Sequence, residues 1–172
     1  MRGEEVLEIR CPGCEGRATC DEPFLFLNEA PGPEEQRPTH RWGGWTVVEK
    51  FPSLVPWQAP RGSGQFLESG GSGESFGYRL GSKGVVHCAR CVTPRIHELS
   101  WPGDAYWKWQ IRGETLWARN RAHARKILDF VRAEHRPRRV SLVLRHIPSS
   151  FLAAKVRDEV VKKMSASLGK AG

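Results

Sequence analysis

Cys11-Pro12-Gly13-Cys14 and Cys88-Ala89-Arg90-Cys91 are the two stretches on which the reading of this chain turns. Each pair of cysteines is separated by two residues. Each also follows a β-like run, Val6-Leu7-Glu8-Ile9-Arg10 before the first and Gly84-Val85-Val86-His87 before the second. A two-residue spacer lets the backbone wrap an ion so that both thiolates occupy one edge of a tetrahedron, with Zn–S of about 2.3 Å. Two such pairs supply four ligands, and the expected metal set is Cys11, Cys14, Cys88 and Cys91. The alternative is two unrelated pairs of buried or free thiols.

The arrangement resembles a zinc ribbon, in which two β-hairpin knuckles clamp one ion, and Pro12 matches the C-P-x-C form of that family's first knuckle. The resemblance covers the knuckles and their flanking strands. Seventy-three residues lie between Cys14 and Cys88, against roughly 15–20 in the usual pattern. Such an insertion is tolerable because loop-closure entropy grows only logarithmically with length. The glycine that commonly follows the second cysteine of a knuckle is displaced to Gly16 in the first and is Val92 in the second.

A ribbon implies a structural ion. Four thiolates fill a tetrahedral shell and leave no position for a reacting water, so Lewis-acid hydrolysis at this metal is not expected. Binding instead stabilises the fold, by an apparent ~10–16 kcal/mol in zinc-finger peptides. A rubredoxin-like iron site would use the same ligands, so zinc and iron both stay open. A redox role for Cys11/Cys14 would want the pair at a helix start, and Glu15-Gly16-Arg17 does not begin one. Cys20 is left over and reads as a small buried hydrophobe, with replacement of Cys14 as ligand the other option. His87 and His97 flank the second knuckle and read as structural or surface groups, or as a ligand in a Cys3His variant.

Outward from the knuckles, Phe24-Leu25-Phe26-Leu27 and Trp42 to Val48 have β character, separated by an Ala30-Pro31-Gly32-Pro33 loop. The stretch 52–75 holds three prolines and five glycines and reads as an exposed flexible insertion. Tyr106-Trp107-Lys108-Trp109-Gln110-Ile111 alternates so that Trp107, Trp109 and Ile111 share a face. Arg112-Gly113-Glu114 then turns the chain into Thr115-Leu116-Trp117-Ala118, a β-hairpin. Asn120 can cap a helix to about Glu134, with Ala124, Ile127, Leu128 and Val131 as its apolar stripe. Val140 to Leu144 is a β-branched run. Ser149 or Ser150 is positioned to cap a final helix in which Leu152, Val156, Val160 and Met164 recur every fourth residue.

The expected fold is therefore α+β. It consists of a zinc-ribbon portion, 1–101, with the insertion near 52–75, and a portion 102–172 of a Trp-rich hairpin and two amphipathic helices packed with it as one unit. The 172 residues, 39% hydrophobic and 27% charged, suit one domain rather than a disordered polyelectrolyte. No run approaches the ~18 apolar residues of a bilayer span. Met1-Arg2-Gly3-Glu4-Glu5 lacks a signal-peptide core, which points to a reducing cytoplasm, where cysteines bind metals or stay free.

Charge is segregated along the chain. Through Cys88 there are 9 Lys or Arg against 12 Asp or Glu; from Ala89 onward there are 18 against 7. A strongly basic half suggests an anionic partner, most often nucleic acid. The candidate phosphate contacts are Arg119, Arg121, Arg125, Lys126, Arg132, Arg136, Arg138 and Arg139, because guanidinium groups fit phosphate in a bidentate fork. On the helix, Arg121, Arg125 and Arg132 fall to one side. About six phosphate contacts would give a log K against log salt slope of roughly −5 on duplex DNA. The bland alternative is a solvated basic face.

Seven tryptophans invite two readings, base stacking beside the cations or filling of a thin core. Trp101, at a strand exit, reads as packing. No nucleophile–His–acid arrangement, phosphate-binding glycine loop or paired-carboxylate pattern stands out, which favours a non-enzyme. The expectation is a small zinc-binding accessory protein that binds nucleic acid. The alternative is a structural adaptor docking on a protein through the Trp-rich hairpin and final helix.

Overall fold

Short runs become strands here because each finds a hydrogen-bonded neighbour and most bury one side. The structure is a computed structural model and describes residues 6–59, 83–133, 135, 144 and 147–170. It is mixed α+β, with antiparallel strand pairs and two α-helices among the described residues. The elements run β1 (Leu7–Arg10), β2 (Arg17–Asp21), β3 (Phe24–Leu27), β4 (Thr39–Trp42), β5 (Trp45–Glu49), β6 (Lys83–His87), β7 (Arg95–Glu98), β8 (Trp107–Ile111) and β9 (Glu114–Ala118). They end with α1 (Arg121–Arg132) and α2 (Ala154–Lys170). Among the described residues there are three sheets, with strand orders β1-β2-β6-β7, β3-β5-β4 and β8-β9.

By contacts the chain divides into two units, one of residues 1–19 and 100–172 and the other of residues 20–99. The first is built on the Trp-rich hairpin. Ile111 and Glu114 pair across a two-residue loop in which Arg112 and Gly113 have φ of 50° and 85°, the positive values a type I′ turn demands. Trp107, Trp109, Ile111, Leu116 and Ala118 face inward and pack with Ala124, Ile127, Leu128 and Val131 of α1. Val160, Met164 and Leu168 of α2 complete this core. Trp109 Nε1 donates to Ser167 Oγ at 2.6 Å, so this indole is buried with its one donor satisfied.

α1 starts as its sequence suggests. The Asn120 side chain accepts from the His123 amide at 2.7 Å, and its Nδ2 donates to the Val6 carbonyl at 2.9 Å. The helix ends at Arg132, two residues short of the expected Glu134. The start of α2 differs from expectation. Ser149–Leu152 forms a single 3-10 turn that buries Phe151, with Pro148 at its cap position and no side-chain cap bond; the α-helix begins only at Ala154. Leu152 therefore belongs to the turn, and the stripe on the helix itself runs Val156, Val160, Met164 and Leu168. Arg112 Nη2 donates to the Lys155 carbonyl at 2.8 Å and Lys163 Nζ to that of Gln110 at 2.8 Å, fastening the helix to the hairpin. The Lys163 hydrogen bond, with Arg112 alongside, holds the Glu159 carboxyl below the usual carboxylate range.

β1 joins this unit through Glu8. Its amide donates to the Arg119 carbonyl at 2.7 Å, and Ile9 bridges Ala105. The carboxylate accepts from Trp107 Nε1 and, at 2.6 Å, from the Arg121 amide, the first free N–H of α1. A negative charge there also meets the positive end of the helix dipole.

In the second unit, β5 is central in its sheet and buries Val47 and Val48. Phe24, Phe26, Trp42 and Trp57 meet edge to face. Glu49 is buried, and its Oε1 meets His40 Nε2 at 2.7 Å and accepts from the Trp57 amide at 2.9 Å. Of the stretch 52–75 expected as an insertion, residues 60–75 lie outside the described residues; the earlier part contributes Trp57 to the aromatic cluster. Of the run Val140 to Leu144, only Leu144 is described.

Candidate metal centre

Both cysteine pairs occupy the turn between two strands that neighbour one another in the same sheet. Cys11 and Cys14 lie between β1 and β2, and Cys88 and Cys91 between β6 and β7. The turns are closed alike. Glu15 N donates to the Cys11 carbonyl at 2.8 Å, and Val92 N to that of Cys88 at 2.8 Å. Cys11 N donates to the Gly16 carbonyl at 2.8 Å, bringing the chain back into β2. In each pair the first cysteine is buried and the second half-buried.

The four sulfurs lie within 4.8 Å of one another. A tetrahedron with Zn–S of about 2.3 Å has sulfur–sulfur edges of about 3.8 Å. The cluster is thus of the size that one ion draws together, and its donor set of four soft thiolates suits zinc or iron. The Gly13 amide points at Cys11 Sγ, 3.4 Å away. An N–H aimed at a ligand sulfur supports its negative charge, as outer hydrogen bonds generally do at metal centres. All four residues expected as ligands are present in the cluster, so the pairs are not unrelated.

The other candidates near the knuckles fall elsewhere. Cys20 is buried in β2, where a Cβ placed on Gly84 of β6 would collide with its sulfur. Cys14, not Cys20, belongs to the cluster. His87 Nε2 lies 3.7 Å from Asp21 Oδ2, and its ring packs on Phe51 at 5.1 Å. His97 is half-buried on β7.

The basic residues are distributed unevenly. Arg125 and Lys126 are exposed on α1. Arg121 Nη2 donates to the Leu168 carbonyl at 2.8 Å, and Arg132 Nη2 to Ser165 Oγ at 2.7 Å. These two guanidinium groups join α1 to α2, an attachment that helical spacing alone does not disclose. Arg119 is half-buried at the end of β9. Arg136, Arg138 and Arg139 lie outside the described residues. The division into units sharpens the charge contrast. Residues 1–19 and 100–172 hold 19 Lys or Arg against 10 Asp or Glu (net +9), and residues 20–99 hold 8 against 9 (net −1).

A groove of about 290 Å³ in the second unit is lined by Phe24, Leu54, Val55, Pro56, Lys83 and Ile96. No helix among the described residues is long and apolar enough to cross a membrane. No protein-family model matches this chain, and neither the curated proteins nor the solved structures contain a match. Fold and site together define a mixed α+β protein with a four-cysteine centre suited to a metal ion.

Proposed function

We propose that this chain is a zinc-ribbon accessory protein: one structural zinc held by Cys11, Cys14, Cys88 and Cys91, and a basic portion that binds nucleic acid through phosphate. The zinc reading rests on four sulfurs within 4.8 Å, each pair set in a strand-to-strand turn as ribbon knuckles are. With its shell filled by thiolate, the ion would order the β1–β2 and β6–β7 turns and take no part in a reaction.

The observation that carries the nucleic-acid reading is the concentration of a net +9 in residues 1–19 and 100–172. Arg125 and Lys126 present their charge outward, and Arg136, Arg138 and Arg139 extend the field in sequence. Arg121 and Arg132 each already make one bond to α2, so phosphate contact falls first on the others. The inner face of the hairpin and the stripe of α2 are consumed by each other. An adaptor docking through the hairpin and final helix would therefore use their outer faces.

The test is an anisotropy titration of the metal-loaded protein against nonspecific DNA and RNA at two salt concentrations. Binding that weakens steeply with salt is expected, and an Arg125/Lys126/Arg139 triple replacement, which spares the Arg132 bond to α2, should flatten the slope. Absence of binding at low salt, or a triple variant that binds unchanged, would overturn the reading. Elemental analysis decides the metal, since a ferric tetrathiolate would colour the protein and zinc would not.

A further inference from the structure

The face of the β8–β9 hairpin turned away from the core holds a group of side chains that the packing does not use. Strand alternation puts Lys108, Gln110, Thr115 and Trp117 there, opposite the buried Trp107, Trp109 and Leu116. Lys108 stands directly across the ladder from Trp117. Trp101, in the turn preceding the hairpin, stacks on Trp117 with ring centroids 4.9 Å apart and planes 13° from parallel. Both indoles are only half-buried. The Lys108 ammonium donates to the Gly103 carbonyl at 2.6 Å, which keeps a cation beside the Trp101 turn. None of these side chains is a carboxylate. Of the acids nearby in sequence, Asp104 accepts the Ser100 amide at 2.6 Å and Glu114 accepts the Ser150 hydroxyl at 2.7 Å.

We propose that the Trp101–Trp117 pair is a stacking platform for the bases of single-stranded nucleic acid, with Lys108 placed for the adjoining phosphate. The proposal rests on the nucleic-acid reading above and deepens it by naming the form of nucleic acid bound. An unpaired base exposes both π faces and stacks on an aromatic ring with little regard to sequence, whereas a duplex keeps its bases within its own stack. Two near-parallel rings already form the start of such a column, and a base extends it on a ring face the other indole leaves uncovered. Charge argues for the same occupant: the patch belongs to the unit with net +9 and contains a cation and two neutral polar side chains beside the rings. Gln110 Nε2 donates to Thr115 Oγ1 at 2.6 Å, so these two groups satisfy each other, and the charge that a purely apolar partner would leave poorly matched is that of Lys108.

The experiment compares a fluorescein-labelled 12-nucleotide oligothymidylate with a duplex of equal length, titrated at low salt with metal-loaded full-length protein. Trp117→Ala should weaken single-strand binding about tenfold, roughly 1.4 kcal/mol, and leave duplex affinity within about twofold. Trp117→Phe, which keeps a ring, should recover most of the loss. Trp101→Ala, at a turn rather than within the ladder, is the second variant should Trp117→Ala fail to fold. Arg125→Ala/Lys126→Ala should weaken both substrates together. An unchanged single-strand affinity in the ring-removing variants, or an equal loss on both substrates, overturns the platform and leaves the nucleic-acid reading standing. If the unmodified protein binds neither oligonucleotide, both readings fall.

Discussion

Glu15 and Val92 occupy equivalent places: each follows the second cysteine of its pair, each donates to the first cysteine's carbonyl at 2.8 Å, and their φ angles are 58° and 61°. That left-handed conformation is where glycine is at ease and side chains with a Cβ are strained, most of all β-branched ones. The position is the one that a knuckle glycine commonly fills. Here the backbone keeps the conformation without the residue, which requires the rest of the turn to enforce it.

Val92→Gly should therefore raise stability. Relief of left-handed strain contributes about 1–2 kcal/mol, and the extra freedom of glycine in the unfolded chain takes back about 0.4–1. Val92 is 78% exposed, so little packing is lost. A net gain of roughly 0.5–1 kcal/mol is expected in denaturant melts of the metal-loaded protein. Glu15→Gly should gain less, since it gives up an exposed ion pair with Arg10. A lower midpoint for Val92→Gly would contradict the strain argument.

Removing the ion should cost much more. One equivalent of metal per chain is expected, and replacing any one of the four cysteines by serine should lower both metal content and melting temperature. Because the ligands bind as thiolates, protons compete with the ion. Stability contributed by the metal is held at neutral pH and lost as pH falls, and apo protein prepared with a chelator should lack that acid-sensitive transition. Cys20→Ser, outside the cluster, should keep the full metal equivalent.

Glu8 ties β1 to both the hairpin and the start of α1. Glu8→Ala leaves Trp107 Nε1 and the Arg121 amide without their acceptor and removes a charge from the helix N-terminus. A loss of about 2–4 kcal/mol in urea unfolding is expected, with Glu8→Gln costing less because an acceptor oxygen remains. Equal losses in the two variants would show that the acceptor oxygen kept by glutamine contributes nothing, and a Glu8→Gln protein as stable as the parent would show that the charge contributes nothing.

Gly84 lies on β6 against the end of its neighbour β2. An added Cβ would collide with Cys20 Sγ and sit 3.1 Å from the Asp21 carbonyl oxygen. Gly84→Ala should cost roughly 1–3 kcal/mol by overpacking. Adding Cys20→Ala should restore part of it, because that sulfur is one of the two obstacles, and additive effects of the two changes would argue against the contact.

Several features could be read from the residues because their signals are local. The two-residue spacing of Cys11/Cys14 and Cys88/Cys91 encodes a turn, and the alternation of Trp107, Trp109 and Ile111 encodes a strand with one buried face. Asn120 ahead of an apolar stripe encodes a helix and its start. β2 and β7 carried weaker signals. β2 buries only Ala18 and Cys20, both small, and β7 buries none of its residues, so pairing rather than composition makes it a strand. The delayed start of α2 follows from Phe151, which the 3-10 turn buries in the core.

The sequence by itself determined the ligand types, the two turns that present them, the hairpin and the first helix, since each depends on neighbours a few residues apart. Tertiary structure alone decided that four sulfurs from distant stretches converge and that Arg121 and Arg132 reach α2. It also decided that Glu8 caps a helix more than a hundred residues away and that Trp101 lies on Trp117. Those relationships are set by how the strands pair and which faces bury, choices made by the free energy of the whole chain and not encoded in any one segment.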